Sequence, residues 1–94
     1  MQYYIVRWRG APQVTRGGQF VRYISGYEDG YSYLGWNAAP HPSIGRPAHL
    51  AIPFDNVEEA LFATDQHVKE YEAHDTYEIV LMPDNTVVRT ETWP

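Results

Sequence analysis

With 94 residues and no cysteine, the chain has room for one hydrophobic core and nothing covalent to brace it. Apolar residues make up 44% of it, which excludes wholesale disorder, and no apolar run approaches the roughly 20 residues that cross a bilayer. The net charge of −5 disfavours nucleic acid as the main partner, although residues 1–25 hold Arg7, Arg9, Arg16 and Arg22 and no acid.

Gln2–Arg9 reads as a first strand, rich in β-branched and aromatic residues, and Arg16-Gly17-Gly18 as a basic loop tip. Gln19–Tyr27 and Tyr31–Trp36 are expected to form a hairpin about Glu28-Asp29-Gly30, with Gly30 left-handed. That register sets Tyr27 opposite Tyr31 and Ser25 opposite Tyr33, with Tyr23 on the same face and Tyr4 or Trp8 extending it. Alternation then sends Ile24 and Leu34 to the core, flanked by Phe20 and Trp36. Residues 37–48, with Pro40, Pro42 and Pro47, read as a long irregular loop. A short edge strand over His49–Pro53 follows it.

A helix of about residues 55–73 is the clearest element, with Asp55 as N-cap and Glu58 in the third helical position. Val57, Ala60, Leu61, Thr64, Val68 and Tyr71 form its apolar stripe, and Phe62 stands out on the acidic side. Tyr77–Met82 and Thr86–Trp93 make a C-terminal hairpin about Pro83-Asp84-Asn85. The expected fold is one α+β domain over residues 1–94, an antiparallel β-sheet of five to six strands with one amphipathic helix packed on one face. The cysteine-free sequence, opening directly into a strand pattern, points to the cytoplasm.

No catalytic residue, metal ligand set or cofactor motif emerges. His67 and His74 lie two helical turns apart, about 10 Å, too far to share one zinc. His41 and His49 have no carboxylate at ligand spacing, and the histidines read as solvated or edge-packed. Ser25, Ser32 and Ser43 lie in no nucleophile elbow, so no enzymatic activity is expected.

Eight tyrosines, three tryptophans and three phenylalanines are more aromatic surface than so small a core absorbs, which points to a binding role. One candidate surface is the acidic helix face, Glu58, Glu59, Asp65, Glu70 and Glu72, with Phe62 as anchor. The other is the tyrosine face, Tyr23, Tyr27, Tyr31 and Tyr33, beside Arg7, Arg9 and Arg22. That face has no second helix to cover it, so a homo-oligomer is one way to close it.

The layout resembles that of short accessory proteins of phages and prophages. The likeness rests on a strand-rich N-terminal half, the segment Phe54-Asp55-Asn56-Val57-Glu58-Glu59-Ala60, a helix, and the strand Tyr77-Glu78-Ile79-Val80. It implies an anti-defence setting and brings no functional residues with it. The expected function is therefore binding of a host defence protein, such as a CRISPR component, through the acidic and aromatic helix face. One alternative is a sponge for a nucleotide signal, built from the tyrosines and arginines. A further one is single-stranded nucleic-acid binding by the same face.

Overall fold

A computed structural model describes residues 1–38 and 41–94 of the chain. Strand β1 (Tyr3–Arg9) buries two consecutive residues, Ile5 and Val6, and a strand with core on both faces belongs in the middle of a sheet. It pairs antiparallel with β6 (Thr76–Met82) from Tyr3 to Arg7, and with β4 (Tyr31–Asn37) from Arg7 to Arg9. β5 (His41–Arg46) and β7 (Thr86–Thr92) complete a five-stranded sheet in the order β5-β4-β1-β6-β7. Helix α1 (Val57–Tyr71) packs on one face of it, an α+β arrangement.

Below Arg7, β1 and β4 part, and the chain entering the helix fills the gap. Tyr4 exchanges both backbone hydrogen bonds with Phe54, at 2.9 and 2.7 Å, while the Ile52 N–H donates to the Leu34 carbonyl at 3.0 Å. This wedge satisfies backbone groups that the separating strands would leave bare. It also delivers Ile52 and Phe54 to the helix-side core, beside Val6, Leu34, Ile79 and Val68. Burying each such side chain is worth about 1.5–3 kcal/mol. A 3-10 turn at Ala48–Leu50 precedes the wedge, where an edge strand over His49–Pro53 was expected.

The helix begins one residue later than its sequence suggested. Asn56, not Asp55, is the N-cap, accepting the Glu59 N–H at 2.9 Å, and the Glu59 carboxylate accepts the Asp55 N–H at 3.2 Å. The buried stripe is accordingly turned: Ala60, Ala63, Thr64, His67 and Val68 face the sheet, while Tyr71 is exposed. At the far end Glu72 turns left-handed and hands its N–H to the Val68 carbonyl.

The expected Gln19–Tyr27/Tyr31–Trp36 hairpin does not form. β2 (Gln13–Arg16) and β3 (Gln19–Tyr23) instead pair with each other as a separate two-stranded arm. Gly26, at φ +95°, breaks the strand, and the Glu28 carboxylate accepts its N–H at 3.0 Å. Gly30 does take the left-handed conformation, at φ +80°, but the turn there redirects the chain so that Tyr31 pairs with Arg9. Tyr27 therefore does not oppose Tyr31, nor Ser25 Tyr33. Ile24, placed in the core by that register, and Phe20, placed beside it, are 44% and 52% exposed.

The stretch 37–48 is not irregular throughout, because β5 lies within it and pairs with β4. Pro42 is accommodated on a sheet edge, where no backbone donor is required of it. Pro40 lies outside the described residues. The C-terminal hairpin forms as expected from its turn chemistry.

Candidate functional site

On the helix side of the sheet, Leu34 is completely buried under α1, and two residues further along β4 Trp36 reaches the rim of that cover. Phe62 projects from the outer flank of α1 towards the same rim. These two rings are 51% and 65% exposed, against full burial of their strand and helix neighbours Leu34 and Ala60. With Phe54, Ala63, Gln66, Glu58 and Glu59 they line an open groove of about 420 Å³. Its floor is apolar and its rim carries two carboxylates. Among the described residues no lysine or arginine lines it.

The groove gathers three of the six residues assigned to this surface, Glu58, Glu59 and Phe62, while Glu72 sits at the C-cap of α1. Asp65 lies on the other flank of α1, where it accepts Lys69 Nζ at 2.8 Å and the Trp93 indole N–H at 3.2 Å. Its carboxyl is held below the usual range chiefly by the hydrogen bond from Lys69. Glu70 is turned to β5, 3.3 Å from His41 Nδ1. Trp36 is the member that sequence reasoning missed. Alternation with Leu34 put it on the correct face but could not show that the helix stops short of it.

On the opposite face, β1 and β4 bring together four of the residues assigned to the tyrosine surface. The Arg7 guanidinium lies 4.0 Å from the Tyr31 ring centroid and that of Arg9 4.8 Å, with Arg9 also donating to the Tyr31 hydroxyl at 2.6 Å. Arg7 Nε donates to Glu78 at 2.7 Å. Tyr33 is buried, 4% exposed, against Ile5 and Val80, and its hydroxyl donates to Asp29. Its pKa is pushed up to about 12, first by burial and then by Asp29.

The other three residues are elsewhere. Tyr23 packs on Phe20 of the arm at 4.8 Å, Tyr27 donates to the Gly45 carbonyl at 2.7 Å, and Arg22 lines a hollow of the arm with Val14 and Ile24. Tyr4 and Trp8, the suggested extension of the tyrosine face, pack on the helix side.

His67 departs furthest from its sequence reading. It is 5% exposed, held between Tyr71 at 5.4 Å and Tyr77 at 5.8 Å, and neither ring nitrogen has a hydrogen-bond partner among the described residues. Burial lowers its pKa, with Glu70 acting in the opposite sense. Its spacing to Ala60, Ala63 and Thr64 would have put it in the stripe had the phase of the helix been known.

Among the described residues no helix is long and apolar enough to cross a membrane. The chain matches no protein family, no curated protein and no solved structure with which it was compared.

Proposed function

We propose that the chain is a non-enzymatic binding protein that seats a basic, apolar-tipped surface of a partner protein in the Trp36–Phe62 groove. One observation carries this reading: two large aromatic rings, each more than half exposed, line one groove with Glu58 and Glu59. Exposed aromatics that can be desolvated on contact supply most of the affinity at such surfaces, while rim charges select the partner and speed the encounter. The likeness to phage accessory proteins suggests the class of partner, a component of a host defence complex whose nucleic-acid channel is basic.

The test is antagonism of a CRISPR effector in cells, with the isolated effector titrated in parallel. Trp36→Ala and Phe62→Ala should each weaken binding by about 30-fold or more, the scale of an interfacial hot spot. Glu58→Lys should mainly slow association and reduce its salt dependence. Wild-type potency in both aromatic variants would exclude the groove.

The nucleotide-sponge reading rests on the convergence of Arg7 and Arg9 on Tyr31. It is the weaker reading, because the Tyr31 ring on which a base would stack already carries guanidinium groups, and Arg7 is paired with Glu78. Thermal-shift screening against cyclic and linear nucleotides tests it: capture should raise the melting temperature in wild type and not in Arg9→Ala.

A further inference from the structure

The two edges of the main sheet are not equivalent. β5 carries Pro42 and, beside Gly45, a shift of register, both of which blunt a strand edge. β7 has no proline between Thr86 and Thr92 and is β-branched at Thr86, Val87, Val88, Thr90 and Thr92. A register shift interrupts its ladder beside Val88, after which pairing with β6 is regular from Arg89 to Thr92.

The Trp93 N–H donates to the Asp75 carbonyl at 2.9 Å, which fixes which backbone groups face inwards. By the two-residue alternation of an antiparallel ladder, Glu91 and Arg89 also turn theirs to β6. Thr90 and Thr92 then present their N–H and C=O groups outwards, where no strand among the described residues meets them.

We propose that β7 pairs antiparallel with β7 of a second copy, centred on Thr90, joining two five-stranded sheets across a two-fold axis. In that register Thr90 opposes Thr90, so their outward backbone groups meet, and Arg89 of each copy stands opposite Glu91 of the other. Directly opposed residues share a face, and Arg89 already lies 3.2 Å from Glu91 within one chain. The two-fold axis therefore closes a ring of two positive and two negative side chains.

Charge also rejects the neighbouring registers. Centring the pair on Arg89 opposes two arginines, and centring it on Glu91 opposes two glutamates, and like charges directly opposed are destabilising. A strand whose charges complement themselves about one residue suits a second copy of the same chain, since an isologous contact must match its own image. This interface uses neither the Trp36–Phe62 groove nor the tyrosines, so it stands or falls independently of the proposed function.

Sedimentation equilibrium and native mass spectrometry test the pairing. Wild type should show a species of twice the 10.9 kDa chain mass that dissociates on dilution. Arg89→Glu and Glu91→Arg should each be monomeric alone, because every opposed pair then carries like charges. Mixing the two variants restores opposite charges at both positions and should yield a heterodimer. Thr90→Pro removes an outward N–H without touching the β6 ladder, and should be monomeric while melting like wild type. A wild-type monomer at concentrations up to about 1 mM would overturn the proposal. So would a wild-type dimer constant in either charge variant, a mixture that stays monomeric, or a dimeric Thr90→Pro.

Discussion

At His67 the fold holds an imidazole where neither ring nitrogen meets a partner among the described residues, so protonation there is opposed by lost solvation. Unfolded, the group titrates near 6.5; folded, burial moves it lower despite Glu70. As pH falls the unfolded chain takes the proton first, so its contribution to stability is intact above 6.5 and declines below it until the folded group titrates too. Carboxylates add their own losses only nearer pH 4, which separates the two windows. Urea midpoints should therefore fall between neutral pH and about pH 5 in wild type and stay nearly level in His67→Phe. A wild-type midpoint that is flat over this range, or an equal slope in the variant, would show that His67 is not the group responsible. The apolar replacement should cost little near neutral pH, since it removes two unpartnered polar atoms from the interior. Phe62 and Trp36 present the opposite situation. Both are more than half exposed, so Phe62→Ala and Trp36→Ala should shift stability by less than about 1 kcal/mol, read as urea midpoints, while removing the groove's apolar walls. A larger loss would mean that the rings serve the core and not a partner.

Among the elements, the helix shows most clearly what the residue pattern conveys. Its existence, its approximate span and the exposure of Phe62 follow from apolar spacing alone, because a fifteen-residue amphipathic segment repeats the signal several times. Its phase and cap do not, because Asp55 and Asn56 are both good cap residues and each has a glutamate three positions on. Packing decides between them: the wedge from Ile52 to Phe54 is fixed to Leu34 and Tyr4, and the helix starts where that wedge releases the chain. Asn56→Ala should therefore destabilise the protein by about 1 kcal/mol, whereas Asp55→Ala, which removes no helix cap, should cost only a few tenths. Chemical denaturation of the two variants distinguishes them, and equal losses would restore the earlier capping scheme. The β-strands follow the same division. The C-terminal hairpin was legible because its turn and its alternation agree locally. The pairing of β4 with β1 was not, since it joins segments more than twenty residues apart and local pattern favoured the nearer partner.

For the whole molecule, the main consequence of that long-range pairing is that the arm stands outside the core. Both buried clusters draw their members from β1, β4, the wedge, α1 and β6, and none from Gln13–Tyr23. The assignment of Ile24 to the core failed for this reason, as did the assembly of seven tyrosine and arginine residues into one surface. The residues carried by β1 and β4 converge, whereas Arg22 and Tyr23 stay on the arm and Tyr27 turns to Gly45 of β5. A two-stranded sheet with every residue exposed or half-buried has little apolar burial to sustain it and opens more readily than the strands beneath. Its amides should exchange with solvent much faster than those of β1 and β6 in a hydrogen-exchange time course. The base of the arm is closed by the Ile24 N–H on the Pro12 carbonyl at 3.1 Å, so its ends lie close together and a short linker can span them. Replacing residues 13–23 with two glycines should leave the five-stranded sheet and helix folded, with cooperative melting within a few degrees of wild type. The loss of loop length is itself slightly favourable to the remaining fold. Collapse of the melting transition in this shortened chain would mean that the arm supports the core, and that Phe20, Val21 and Ile24 are buried more often than the static structure shows.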